Sequence, residues 1–155
     1  MCIDGGILPG GGAGLGVVFR DDGGNFLLAA GKKIKGSLEV EIAEALAAEM
    51  GAQLAHQFSF MDIEMDVDCL IVVHRLQNPN ATKDEVTVVC RNTCRQLEMM
   101  RVKAIRHISR DANKGAHLMA HVETRWNEPV IWVERPPVYL VDQLQLDNVT
   151  AVTDQ

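Results

Sequence analysis

The chain lacks any apolar run approaching the roughly 18 residues that a membrane span needs, and its glycine-rich start lacks the basic, then apolar, order of a secretory signal. Both absences lead to the expectation of an intracellular protein, in cytoplasm or nucleus, that is neither secreted nor held in a membrane. The four cysteines, Cys2, Cys69, Cys90 and Cys94, contain no CxxC pair, so free thiols in a reducing compartment are expected rather than a disulfide framework. The sequons at Asn80 and Asn148 carry little weight in such a compartment. Aromatic residues are scarce at 5%, and with one Tyr and four Phe there is no basic-aromatic ladder of the kind that stacks the bases of single strands. Positive charge is short too: the formal net charge is -6 and the pI about 5.3, which excludes holding nucleic acid by bulk electrostatics alone. The glycine run at Gly10-Gly11-Gly12 lacks both the Gly-Lys-Ser/Thr ending of a Walker loop and GxGxxG spacing, so it reads as a connection rather than a phosphate cradle.

What is present suits one domain with a real core, since 47% of the 155 residues are apolar and 23% charged. Met1 to Asp4 reads as the stub of a strand, followed by a loop from Gly5 to Gly14. Leu15 to Arg20 and Asn25 to Ile34 are β-prone and flank Asp21-Asp22-Gly23-Gly24, strong hairpin chemistry. Ser37 is positioned to cap a helix running to about Gln57 on the period of Ile42, Ala45, Leu46 and Leu54. Ile63 to Val67 then reads as a strand and Asp68 to Gln77 as a short helix. Thr82 and Glu85 have capping-box spacing before a further helix, Val102 to Ser109 reads as a strand, and Asp111 is expected to cap another helix. A hairpin followed by alternating strands and helices predicts a mixed sheet covered on both faces. The composition shifts after Trp126, where Pro129, Pro136 and Pro137 interrupt the tail. The expected division is therefore a core domain over 1–125 and a C-terminal extension over 126–155, anchored by Trp126 and Trp132. From Met99 to Arg125 six basic residues (Arg101, Lys103, Arg106, Arg110, Lys114, Arg125) face two acidic ones (Asp111, Glu123), which read as one basic face or an ordinary solvated surface.

Three acids stand in positions suited to chemistry: Asp4 near the end of the first strand, Glu44 inside the long helix and Asp68 just past the fourth strand. Carboxylates from separate elements can converge at one edge of a sheet, and clustered hard oxygens are what Mg²⁺ requires. His56, His74 and His121 read as helix surface, and His107 as a residue packed on its strand.

Five segments resemble, in order and spacing, the plant ribonuclease H-like domains related to reverse transcriptases. "CIDGG" is similar to that family's first strand, "GAGLGVVFRDDGGNFLLAA" to its hairpin and "AEALAAEMGAQLA" to its Ala-Glu-Ala helix, while "DVDCLIVV" and "HISRDANKGAHLMA" complete the set. The tail around "WVERPPVYLVDQL" resembles the family's proline-containing extension. The resemblance implies a three-layer ribonuclease H fold, with a five-stranded mixed sheet whose first three strands are antiparallel and with helices on both faces. It implies two Mg²⁺ or Mn²⁺ ions held by Asp4, Glu44 and Asp68, with Asp4 bridging. Glu41 then reads as solvated surface and Asp66 as secondary. At the fourth ligand position the family has Asp, whereas this chain has Asn113-Lys114-Gly115-Ala116-His117. His117 thus occupies a ligand's place, and imidazole suits Mn²⁺ or Zn²⁺ better than Mg²⁺.

The implied activity is hydrolysis of the RNA strand of an RNA–DNA hybrid by a monomer, with Gly5, Gly6, Arg110, Asn113 and Lys114 contacting the nucleic acid. The alternative is a catalytically weak or inactive retroelement-derived module that binds nucleic acid or a protein partner. A purely structural α/β interaction module is the third reading.

Overall fold

A computed structural model describes residues 1–122 and 128–153, with side chains up to residue 147. Glu123, Arg125, Trp126 and the expected division after residue 125 lie outside the described residues, as does the Asn148 side chain.

Six strands form one sheet in the order β5-β4-β1-β2-β3-β6, with β1 at Cys2–Ile7, β2 at Ala13–Arg20, β3 at Phe26–Ile34, β4 at Asp62–Val67, β5 at Arg101–His107 and β6 at Val130–Val133. The first three strands are antiparallel neighbours, while β4 and β5 join β1's other side in parallel. The expectation of five strands is corrected to six. The tail residues Val130 to Val133 pair antiparallel with Gly31 to Leu28 and extend the sheet at its edge. Trp132 lies in that strand opposite Ala29.

The first strand is also longer than the expected stub. Gly5 and Gly6 belong to it, paired with Leu15 and Gly14. Glycine composition suggested a loop, but pairing with β2 supplies the backbone hydrogen bonds that such a segment needs.

Helices α1 (Val40–Gln57), α2 (Leu70–Gln77) and α3 (Glu85–Leu97) form one layer, and α4 (Lys114–Val122) with α5 (Val138–Thr153) forms the other. None of the described helices is long and apolar enough to cross a membrane. Two expected caps move. Glu39, not Ser37, precedes α1 and makes no side-chain cap bond. Asp84, not Thr82, caps α3 by accepting the Thr87 amide at 2.8 Å, because the Asp84 carboxylate lies directly before the helix while Thr82 bonds the Thr87 hydroxyl. Asp111 heads a single 3₁₀ turn, Asp111–Asn113, that leads into α4.

Strand alternation divides the core. Ala13, Leu15, Val17 and Phe19 of β2 join the larger cluster beneath α1, whereas Val18 packs with Met119 of α4 and Leu140 and Leu144 of α5. Ala43, Ala45, Ala47, Ala48, Ala52 and Ala55 of α1 are fully buried. Such small side chains let the helix backbone approach the sheet closely. Glycines in the sheet complete this fit: a Cβ on Gly5 would strike the Ala43 carbonyl, and Cβ atoms on Gly14 and Gly16 would strike the carbonyls of Ala120 and Ala116. All four cysteines are free.

Candidate active site

Asp4 lies in the middle of β1, 4% exposed, paired across the ladder with Gly16. Glu44, 6% exposed, comes from the second turn of α1 and reaches β1, where its Oε2 accepts the Gly5 amide at 3.1 Å. Asp68 follows the last residue of β4. The fold brings the three carboxyl groups together: one oxygen from each lies within 4.8 Å of the others. The parallel pairing of β1 with β4 sets Asp68 beside Asp4, and the close seat of α1 on Gly5 lowers Glu44 into the same corner.

Three acids packed so closely cannot all be ionised cheaply. Burial first, then the charges of Asp4 and Asp68, push Glu44 far up, to about 10. Burial and the neighbouring Asp68 charge likewise raise Asp4, to about 6. The three carboxyls crowd within 4.8 Å and Glu44 is pushed up furthest, so Glu44 is the group that keeps a proton in the metal-free protein.

This arrangement has a cost in stability. The folded state binds the Glu44 proton more tightly than the unfolded chain, whose carboxyl has its ordinary value of 4.5. Stability contributed by this group therefore falls as pH rises from about 4.5 through neutrality, because the unfolded state releases the proton first. Glu44→Gln keeps an oxygen for the Gly5 amide and removes the ionisable group. In chelator-treated protein at about pH 8 the variant is expected to melt at least about 3 °C higher, the shift that roughly 1 kcal/mol gives a chain of this size. Thermal melts of both proteins check this, and a variant melting at or below the wild type would contradict it.

His117, in the first turns of α4, is exposed on its outer side while its Nδ1 sits 3.1 Å from Asp4 Oδ2. It is thus brought to the carboxylates. Asn113 is not a surface residue: it is 1% exposed, and its Nδ2 donates to the Ile3 carbonyl at 2.7 Å and to Asp68 Oδ2 at 3.2 Å. The turn before α4 points its amide inward, where it ties β1 to Asp68. Its Oδ1 is buried with no hydrogen-bond partner among the described residues. Gly5 is buried under α1 with its amide given to Glu44. Gly6 is half-buried on the opposite side of the strand, under His121. Arg110 and Lys114 are exposed beside this corner, Lys114 lying 4.0 Å from Asp111.

Two residues gain roles that the sequence reading missed. His107, read as packed, is exposed at the end of β5, where its Nε2 meets the Asp68 carbonyl at 3.1 Å. His121, read as helix surface, is half-buried and stacks on His117 with ring centroids 3.9 Å apart. Its spacing of four from His117 was the available signal.

The sequence model of a family described as reverse transcriptase-like matches residues 6–122. The chain belongs to that family. The match spans Glu44, Asp68 and His117, and Asp4 lies just before it. Comparison with curated proteins finds no match. Among solved structures this reverse transcriptase-like chain is similar to the RNase H1 of the halophilic archaeon Halobacterium salinarum, with 26% identity, a TM-score of 0.70, and 77% of this chain and 91% of that one covered. It is also similar to the N-terminal RNase H domain of a Mycobacterium tuberculosis protein, at 21% identity and TM-score 0.67 over 77% and 88% of the two chains. LC11-RNase H1, solved in complex with an RNA/DNA hybrid, matches at 24% identity and TM-score 0.65 over 76% and 90%. The last two likenesses bear on the fold alone, and with the first they identify an RNase H-like α/β architecture.

Proposed function

We propose that this chain is a ribonuclease H-type endonuclease that hydrolyses the RNA strand of RNA–DNA hybrids with two divalent ions. The observation that carries the reading is the convergence of Asp4, Glu44 and Asp68 within 4.8 Å at one corner of the sheet. The donor set fits hard cations: three carboxyl groups, of which burial first and mutual repulsion second already hold Asp4 and Glu44 above their ordinary ranges. The RNase H1 likeness at 26% identity supports the same reaction class.

Asp4 would be the shared ligand, because it belongs to both groups of potential donors, one with Glu44 and Asp68 and the other with His117 and His121. Ions held by these groups would supply an activated water and charge stabilisation at the leaving oxygen of the phosphodiester. Asn113 acts as a positioning residue, holding Asp68 by its amide. Gly5 fixes Glu44 through its N–H. Arg110 and Lys114 contact phosphates of the hybrid, which is recognised by minor-groove shape and 2′-hydroxyls rather than by base sequence. A plant, retroelement-derived origin is supported by the five motif segments.

His117 in the place of a fourth acid favours a second reading, a module that binds the hybrid and cuts it weakly or not at all. A neutral ligand reduces the negative charge that draws two cations together. The test is incubation of the purified chain with an end-labelled hybrid in Mg²⁺ and separately in Mn²⁺, beside Asp68→Asn. Cutting that Asp68→Asn lacks supports the nuclease, and faster cutting in Mn²⁺ assigns His117 a ligand's role. Hybrid binding without cutting in either ion favours the binding module. Neither binding nor cutting in low salt would leave a protein-interaction role.

A further inference from the structure

The two edges of the sheet are built differently. Along β5 the exposed side chains include Arg101, Lys103 and Arg106, and a row of charges of that kind keeps an edge from pairing with another chain. β6 covers the edge of β3 and presents an edge of its own, with no partner strand among the described residues. Its sequence, Val-Ile-Trp-Val, carries no charge, and Trp132 and Val133 are 37% and 48% exposed. An open edge of β-prone apolar residues is a template for strand addition.

The ladder fixes which backbone groups face out. The Glu134 amide donates to the Leu27 carbonyl at 3.4 Å, and opposed residues of an antiparallel pair bond at every second position. Trp132, two residues earlier and opposite Ala29, therefore turns its N–H and C=O to β3, whereas Ile131 and Val133 turn theirs outward. The Val133 carbonyl accepts the Arg135 amide at 2.8 Å and keeps a second lone pair. Charge marks the two ends of the strand: Glu128 stands before it and Arg135 after it, both exposed and with no ion pair among the described residues.

We propose that β6 pairs antiparallel with β6 of a second copy of this chain, giving a twofold dimer with one continuous sheet in place of the monomer that the resemblance implies. A strand acidic at one end and basic at the other is complementary to itself in antiparallel array, which points to a second copy rather than to another chain. The axis passes between the two Trp132 residues. In that register Ile131 of each copy bonds Val133 of the other, and the tryptophans take the non-hydrogen-bonded position, where Cα atoms approach to about 4.5 Å and aromatic pairs stabilise. Glu128 of each copy then lies at the end that carries Arg135 of the other. Sliding to Ile131 opposite Ile131 sets Glu128 against Glu134, which like-charge repulsion disfavours. β2 and β3 separate β6 from Asp4 on β1, so the inference does not depend on hybrid cleavage.

Analytical ultracentrifugation of the purified chain is expected to show a reversible dimer with a Kd on the order of 10 µM, as suits an interface at the small end of the range. Glu128→Arg and Arg135→Glu each set like charges together and should weaken the dimer at least about tenfold. Their melting curves should match the wild type, because neither side chain has an ion pair within the described chain. Mixed in equal amounts, the two variants regain opposite charges at both contacts and should form a heterodimer about as tight as the wild-type dimer. A chain that stays monomeric at millimolar concentration would overturn the proposal and leave the edge to a strand of another protein. A dimer that neither variant weakens, or variants that do not associate when mixed, would place the interface elsewhere and overturn it as well.

Discussion

Asp4→Asn is expected to lower hybrid cleavage by about 10³-fold or more, in Mg²⁺ and in Mn²⁺ alike. Asparagine has nearly the same shape, so the change removes charge and little else. Asp4 is the one acid that belongs to both donor groups, and its loss deprives each ion of a ligand. A loss of about 4 kcal/mol of charge stabilisation corresponds to about 10³ in rate. Folding should not suffer, because Asp4 is 4% exposed beside two other acids and neutralising it relieves repulsion in the metal-free protein. Activity and stability are thus expected to move in opposite directions. Single-turnover cleavage and a thermal melt on the same preparation measure both. Retained cleavage would remove Asp4 from the catalytic reading, and lost cleavage with a collapsed melt would reduce it to a structural residue.

Gly5→Ala is expected to cost more than about 3 kcal/mol, a Tm drop of at least about 8 °C, or to prevent folding altogether. The added methyl would overlap the Ala43 carbonyl and lie 2.6 Å from the Glu44 amide nitrogen. Both are helix backbone, which cannot rotate aside as a side chain can. Relief requires α1 to lift from β1, which opens the alanine-lined core and carries Glu44 away from Asp4. Native stabilities of about 5–15 kcal/mol leave little reserve for such a shift. Gly10→Ala is the control: nothing lies within 4 Å of its Cβ, and its effect should stay within about 0.5 kcal/mol. Equal melting temperatures for Gly5→Ala and the wild type would refute the tight-seat account.

The candidate site was legible where local chemistry and order along the chain suffice. Asp4, Glu44 and Asp68 stood out because each sits in a motif context, and the fold brings all three together. The pattern around Asn113 could not reveal that the turn before α4 faces inward, toward the Ile3 carbonyl. Gly5 and Gly6 looked like open backbone beside an acid. Their neighbours come from α1 and α4, helices separated from β1 by about 40 and 115 residues of chain, and no local signal reports what packs over a glycine. His121 was taken for helix surface, although its spacing of four from His117 was the local sign of the ring stacking between them.

The sequence by itself determined most element types, the hairpin, the mixed sheet with helices on both faces, and the three acids that the fold brings together. Those follow from hydrophobic period, turn chemistry and motif order, all of which are written locally along the chain. Only the tertiary structure decided that a sixth strand from the tail closes the sheet edge, that Gly5 and Gly16 are seats for helices, and that Asp4 serves two donor groups at once. These depend on distances between residues remote in sequence, which packing sets and local propensity does not.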